Sequence, residues 1–346
     1  MLISKVSHQT SVGEIIFVTL ENNHGYQLVL CSYGASIYQV IYRNDDGSDQ
    51  LLNLTNENIE EFLSSSSYYG KTIGRVSGRL FGSHFKVLDQ TYPLKLAKGQ
   101  SSMLHGGEKG IPFQNFLLVN EDITDNAAKI TFYYLSPDNE EGFPGNLDLY
   151  VSYELNNEDQ IVIDYNASTD QNTLLNLTNH IYFNLSPEFE TIDSHELMLN
   201  ANQYVHLDSD FHFKEVKSVD QTLYDFRVKK SPTLLSNSLK HTKQKGIDTI
   251  FLVEKESSFM ARLEHPRSKI GLDVYSTYPA VVIYTHQYPS KKKLIGVNDD
   301  GAYKGITFEC EYEPAGVYPE DLNPAILRKD TPYHESIVFQ FYRKDK

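Results

Sequence analysis

Residues 305–313 read Gly-Ile-Thr-Phe-Glu-Cys-Glu-Tyr-Glu. In an extended strand, successive side chains point to opposite faces. Ile306, Phe308, Cys310 and Tyr312 then share an apolar face, and Thr307, Glu309, Glu311 and Glu313 share the other. Three glutamates on one face repel one another unless cations or hydrogen-bond donors lie opposite, and a sugar is rich in donors. The plainer reading of the same pattern is an acidic strand exposed to water. Residues 176–185 alternate in the same way. Leu177, Asn179, Ile181, Phe183 and Leu185 fall on one face, and Thr178, His180, Tyr182 and Asn184 on the other. With the first set in the core, His180 stands beside Tyr182 on a polar, aromatic face. His105 precedes Gly106 and Gly107, which permit a sharp turn and the close approach of a ligand. Carboxylates and imidazoles are the side chains that exchange protons near neutral pH. Glu309 and Glu311 make a poor glycosidase pair, because neighbours on one strand face lie side by side, about 7 Å apart, whereas such a pair must flank the bond it cleaves.

The elements that must position these residues are strands. In 147–155, Leu147, Leu149, Val151, Tyr153 and Leu155 share one face, and in 160–167 Ile161, Ile163 and Tyr165 do. Four polar residues, Asn156 to Asp159, join the two runs into a hairpin. Comparable runs occur at 14–20, 26–32, 130–135, 196–201, 269–276, 280–285 and 336–342. Helical periodicity is scarce and confined to 56–63 and 319–327. About a dozen strands in a chain of this length predict an all-β protein, a large antiparallel β-sandwich with a few short helices. Composition does not shift along the chain and no linker or repeat stands out, so residues 1–346 are expected to form one domain.

Composition narrows the partners. Forty-six acidic and 31 basic residues give a net charge of −15. That charge disfavours binding to nucleic-acid phosphates or an anionic membrane surface. No apolar stretch approaches the roughly 18 residues a membrane helix needs, and residues 1–18 lack the apolar core of a signal peptide. Two cysteines, Cys31 and Cys310, without a CxxC pair, fit a reducing compartment. A cytoplasmic protein is expected. There is no phosphate-binding GxxxxGK[ST], no GxGxxG and no HExxH; His206 and His212, six apart, do not have a metal spacing. The 24 Tyr and 18 Phe with no Trp suit strands, and Tyr also offers sugars a flat face with a polar tip.

Taken in order, Tyr33-Gly34-Ala35-Ser36-Ile37, Gly74-Arg75-Val76-Ser77-Gly78-Arg79, Leu104-His105-Gly106-Gly107, Glu140-Glu141-Gly142-Phe143-Pro144-Gly145-Asn146-Leu147, residues 176–185, Gly246-Ile247-Asp248 and Phe308-Glu309 resemble the landmarks of the aldose 1-epimerase family, also called galactose mutarotases. They span roughly residues 33–315. The resemblance implies a β-supersandwich, no cofactor and no metal, and interconversion of the α and β anomers of a free aldose such as galactose or glucose. It implies Glu309 as general base, His180 as general acid, and Arg75, His105 and Asp248 as residues that hold the sugar. A cyclic hemiacetal opens when its anomeric hydroxyl loses a proton and its ring oxygen gains one. Ordinary pKa values of about 4.3 and 6.5 would leave a carboxylate and an imidazolium suitably charged near neutral pH after a small upward shift of the histidine.

Three positions depart from the family's pattern. Glu311 stands where glutamine is usual two residues after the base, Ser102 where asparagine is usual three residues before His105, and His286-Gln287 where Gly-Asn commonly follows Tyr-Thr. All three are expected to touch the sugar or the base and so to bear on which aldose is preferred, with glucose and maltose among the candidates. Glu311, on the face of Glu309, should raise the pKa of the base. Two alternatives remain. A hexose-6-phosphate 1-epimerase would need cations clustered near Arg75, for which Lys71 and Arg79 are the near candidates. A non-catalytic carbohydrate-binding protein would keep Arg75 and Asp248 but could dispense with the Glu309/His180 pair.

Overall fold

Alternating patterns set the strands, and the strands gather into three main antiparallel sheets. The computed structural model describes residues 1–254, 257–314, 316–319 and 322–344. Leu2–Thr10, Gly13–Glu21, Gln27–Cys31, Ser36–Arg43 and Asp49–Leu51 pair in sequence order as the first sheet. The second has eight strands and contains the expected hairpin as Leu147–Asn156 paired with Gln160–Thr169, followed by Tyr333–Arg343. The third, the floor of the site, runs Phe213–Ser218, Ala201–Leu207, Asp248–Val253, Ala280–Tyr284 and Thr307–Glu311. The all-β expectation holds. Strands outnumber the dozen legible runs because many are pieces of two to four residues, too short to show a period.

One hydrophobic cluster takes side chains from all three sheets, among them Val18 and Leu28, Phe132 and Val151, and Phe251 and Phe308. Each such side chain contributes about 1.5–3 kcal/mol when fully buried. No helix among the described residues is long and apolar enough to cross a membrane. The helix expected at 56–63 forms as Ile59–Ser64, capped by the Asn58 side chain on the Glu61 amide. The helix expected at 319–327 gives way to the strand Ile326–Leu327; its residues 320 and 321 lie outside the described residues. Thr233–Leu239 is helical without a clear sequence signal. It buries Leu235 and Leu239 but is rich in Ser and Asn, which are mediocre helix formers.

Candidate active site

The concave face of the third sheet carries Glu309, Val282, Ile250 and Val205 side by side, because Val282 pairs with Glu309 and Ile250 with Val282. The opposite face, with Phe308, Ile283 and Phe251, enters the core. The alternation read from 305–313 therefore places Glu309 and Glu311 in a cavity of about 710 Å³. His180 enters the same cavity from another element. Its amide donates to the Lys71 carbonyl and its carbonyl accepts from the Gly70 amide, both at 3.0 Å. Leu177, Ile181, Phe183 and Leu185 point into the core as their parity requires, and His180 and Tyr182 line the cavity. His180 Nε2 lies 3.5 Å from Glu309 Oε1. Among the described residues its Nδ1 has no hydrogen-bond partner. The rings of Tyr182, His105, Tyr68 and Tyr284 stand 5.0–6.1 Å from the imidazole.

His105 is held by a reciprocal contact with Gly78. Its amide donates to the Gly78 carbonyl at 2.9 Å, and the Gly78 amide donates to His105 Nδ1 at 3.3 Å. With Nδ1 accepting, the proton of the neutral ring sits on Nε2. Gly106, at φ +83°, has no room for a side chain: a Cβ there would lie 1.8 Å from the Gly74 carbonyl oxygen. The Leu-His-Gly-Gly segment is thus pinned against the segment that begins at Gly74.

Burial sets the charge states. It pushes the His180 imidazole down to about 3. Burial first, then the charges of Glu311 and Asp248, raise Glu309 well above the carboxylate range. His105 is likewise lowered, by burial and by His180. The expected imidazolium–carboxylate pair is therefore not the form of the unliganded site. Because both groups are nearly dry, burial favours the neutral arrangement, a protonated Glu309 beside a neutral His180 imidazole. Both arrangements contain a single proton, which belongs to the pair.

Arg75 is not in this cavity. Its guanidinium, from a residue only 2% exposed, donates to the carbonyls of Ser136, Pro137, Pro144 and Gly145 at 2.9–3.1 Å, to the Ser136 hydroxyl at 2.8 Å and to the Thr173 hydroxyl at 3.4 Å. The expected sugar contact is corrected: Arg75 spends its donors on the 136–145 turn. That contact also explains why the 74–79 and 140–147 motifs occur together. Arg79, four residues on, is the arginine that lines the cavity, with its guanidinium 4.4 Å from the Phe211 ring centroid. Asp248 lines it too, and burial raises its carboxyl. Ser77, Asn176, Tyr68 and Tyr284 complete the polar wall, and only the parity of Tyr182 with His180 had signalled any of these aromatic residues.

Of the three departures, only Glu311 reaches the cavity. Ser102 pairs with Phe81 on a short strand outside the lining. His286 lies behind Tyr182, ring to ring at 4.6 Å, with Nδ1 on the Gly301 carbonyl and Nε2 on the Tyr69 hydroxyl. Gln287 bonds to Thr285 and to the Ile247 carbonyl. Lys71 is buried as well and donates to the Leu63 carbonyl at 2.8 Å, so it supplies no cation to the site.

Glu311 is 3% exposed, and among the described residues its Oε2 has no hydrogen-bond partner. Burial raises it to about 7. It is therefore neutral at acid pH and ionised at alkaline pH, where its charge holds the proton on the His180–Glu309 pair. Glu311→Gln removes that charge. The expected result is an alkaline limb of the kcat/KM–pH profile moved to lower pH, with the acid limb in place, since Glu311 is uncharged there. Profiles of wild type and variant on one sugar check this. An unmoved alkaline limb with a raised KM would make Glu311 a sugar contact alone.

Among the described residues, His105, His180 and Glu309 could each offer a metal one ligand atom, and these atoms lie within 4.8 Å of one another. Ligands held about 2.1 Å from a tetrahedral zinc stand about 3.4 Å apart, close to the 3.5 Å between His180 Nε2 and Glu309 Oε1.

A β-sandwich whose concave sheet presents a buried histidine–glutamate pair beside an arginine and an aspartate defines a class of enzyme that moves protons on a polyhydroxylated substrate. Comparison gives the family. The aldose 1-epimerase model matches residues 17–334, and the chain belongs to that family. It is 30% identical to the aldose 1-epimerase of Escherichia coli K12 over 94% of each chain, and 32% identical to the galactose mutarotase of Homo sapiens over 90% of each. The solved galactose 1-epimerase from Lactobacillus acidophilus superimposes with a TM-score of 0.86 at 26% identity, covering 99% of each chain.

Proposed function

We propose that the chain is an aldose 1-epimerase whose Glu309 and His180 open and reclose the ring of a free hexose, in a reducing compartment that suits its two free, buried thiols. The observation that carries this is the 3.5 Å separation of His180 Nε2 and Glu309 Oε1 in the cavity wall. The two oxygens that exchange a proton in ring opening are bonded to the same carbon. An acid and a base that serve them must stand close together, within hydrogen-bond reach of both.

The sugar completes the charge arrangement. Hydroxyls that donate to Glu309 favour its ionised form and shift the shared proton to His180. Glu309 then takes the proton of the anomeric hydroxyl while His180 protonates the ring oxygen, and the C–O bond of the ring breaks. Rotation about C1–C2 presents the other face of the aldehyde. The same pair, now reversed in role, closes the ring to the other anomer. Arg79 and Asp248 orient the ring hydroxyls by charge-assisted hydrogen bonds, and His105 donates from Nε2. A carbohydrate-binding protein without catalysis would not require the buried pair, and Lys71, one of the two cations a phosphate site beside Arg75 would use, is spent on the Leu63 carbonyl.

Polarimetry of freshly dissolved α-glucose and α-galactose tests the reading. Relaxation to the anomeric equilibrium is expected to accelerate, and to stay accelerated after dialysis against a chelator. No acceleration of either sugar, or activity that a chelator removes and a metal restores, would refute it. Arg79→Ala should raise KM roughly 10–100-fold, the worth of a hydrogen bond to a charged group, with a smaller fall in kcat. An unchanged KM would remove Arg79 from the binding set.

A further inference from the structure

The three glutamates that share one face of the 305–313 segment are not equally provided for. Glu309 accepts from the Thr307 hydroxyl at 3.0 Å and faces His180 Nε2. Glu313 accepts from the Tyr318 hydroxyl at 2.6 Å. Glu311 lies between them, nearly fully buried in the cavity wall, and among the described residues its Oε2 has no hydrogen-bond partner. Burial raises Glu309, Asp248 and Glu311 alike. The Arg79 charge offsets part of that rise at Glu309 and Asp248, whereas at Glu311 the offset comes from the Ser77 hydroxyl alone. The cation of the cavity thus serves the other two carboxyls. Room for a partner exists. A Cβ at Gly78 would lie 3.7 Å from Glu311 Oε1, and no other described atom comes within 4 Å of that point. Residues 176–183 run antiparallel to 306–312, since Phe183 bridges Ile306 and the Tyr312 amide donates to Asn176 Oδ1 at 2.9 Å. In that register His180 stands across from Glu309. Glu311 is the next side chain along the cavity face, about 7 Å further on at the backbone.

Resting on the reading above, we propose that the site takes free hexosamines, in which an ammonium replaces the hydroxyl on C2, and that Glu311 holds this ammonium. The placement follows from the chemistry. Glu309 serves the anomeric oxygen and His180 the ring oxygen, so the anomeric carbon's other ring neighbour, C2, is left to the groups that flank the pair, and Glu311 is the carboxyl beside Glu309 on the same strand face. A hydroxyl donates one hydrogen bond and no charge; an ammonium offers three donors and the positive charge that Glu311 lacks. Folding has already dried the carboxyl, so the sugar adds only the desolvation of its own ammonium. The glutamine usual at this position in the family would reach as far without the charge. The amine of such a sugar titrates near the α-amino range, about 7.7–8.0, and is charged at neutral pH. Glu311, raised by burial to about 7, is partly ionised there, and a bound ammonium favours the ionised form.

Glucosamine and glucose differ only at C2, and the mutarotation of each is read above its own uncatalysed rate. At neutral pH glucosamine is expected to have a kcat/KM about tenfold above glucose, of the order of one hydrogen bond between charged groups. At about pH 9.5, where the amine is neutral, the ratio should fall to about one. Glu311→Gln should erase the gain at neutral pH, mainly through the KM of glucosamine, and Glu311→Asp, which keeps the charge, should retain part of it. Measurable glucose turnover by the same variants reports that they fold, and the comparison of the two pH values needs no variant. The proposal is overturned if glucosamine does not exceed glucose at neutral pH, if the ratio is the same at both pH values, or if the gain survives Glu311→Gln. Failure of the epimerase reading looks different, since glucose itself would then not be accelerated.

Discussion

Glu309→Gln and His180→Asn should each lower kcat by roughly 10²–10⁴-fold, the usual worth of one positioned acid or base. Gln fills the space of Glu309 and keeps a hydrogen-bonding end, so the sugar should still bind, but an amide does not accept the anomeric proton. Asn at 180 removes the Nε2 that stands 3.5 Å from Glu309. KM should change far less than kcat, because both losses fall on proton transfer rather than on uniform binding. The two losses should not multiply. One proton serves the pair, so with either member gone the other has no partner to relay it, and the double variant should resemble the slower single one. Initial mutarotation rates of the three variants across a range of sugar concentrations measure all of this. Near-normal turnover of either single variant would move the role elsewhere, first to Glu311, whose Oε2 is buried in the cavity.

The one-proton pair also fixes the pH limits. A second proton must go onto His180, which burial has lowered to about 3, so the acid limb lies far below the ordinary imidazole range. The alkaline limb reports loss of the shared proton from Glu309, which burial has raised. The expectation from unperturbed values placed the active window between carboxylate and imidazole pKa values. It fails because it left out desolvation, which acts on the two groups in opposite directions.

What the sequence made legible was parity. Leu177, Ile181 and Phe183 in the core assign His180 and Tyr182 to the other side without further knowledge, and the same rule puts Glu309 and Glu311 together. Parity has no reach beyond one strand. That His180 meets Glu309 depends on the bridge between Phe183 and Ile306, a long-range pairing no local pattern announces. Parity also fails where no strand exists. Residues 74–78 run as irregular backbone before the strand Arg79–Phe81, so nothing in Gly-Arg-Val-Ser-Gly-Arg says which arginine faces the cavity. His286 and Gln287 follow the strand Ala280–Tyr284 at the point where the chain leaves the sheet, and they turn into a buried polar layer instead of the site.

Arg75→Ala should unfold the protein more easily rather than weaken its hold on sugar. The substitution removes a buried cation and takes the guanidinium donors from the carbonyl oxygens of Ser136, Pro144 and Gly145, whereas the Pro137 carbonyl keeps the Glu140 amide at 3.1 Å. Each buried acceptor left unpaired costs about 1–3 kcal/mol, less where water enters, so a total loss of about 3–5 kcal/mol is expected, in the range for removing one partner of a buried charged network. The path from residue 75 to the site runs through main-chain groups, which the substitution keeps. Asn176 donates its amide to the Arg75 carbonyl at 2.8 Å, Ser77 donates to Asn176 at 2.9 Å, and Gly78 holds His105. Arg75→Lys keeps the charge but offers three donors where the guanidinium engages six acceptors, so it should recover part of the stability. Urea midpoints of wild type, Arg75→Lys and Arg75→Ala should fall in that order. Sugar KM, measured on whichever variants stay folded, should remain near wild type. An unmoved urea midpoint together with a raised KM would return Arg75 to the sugar and leave Arg79 with a lesser part.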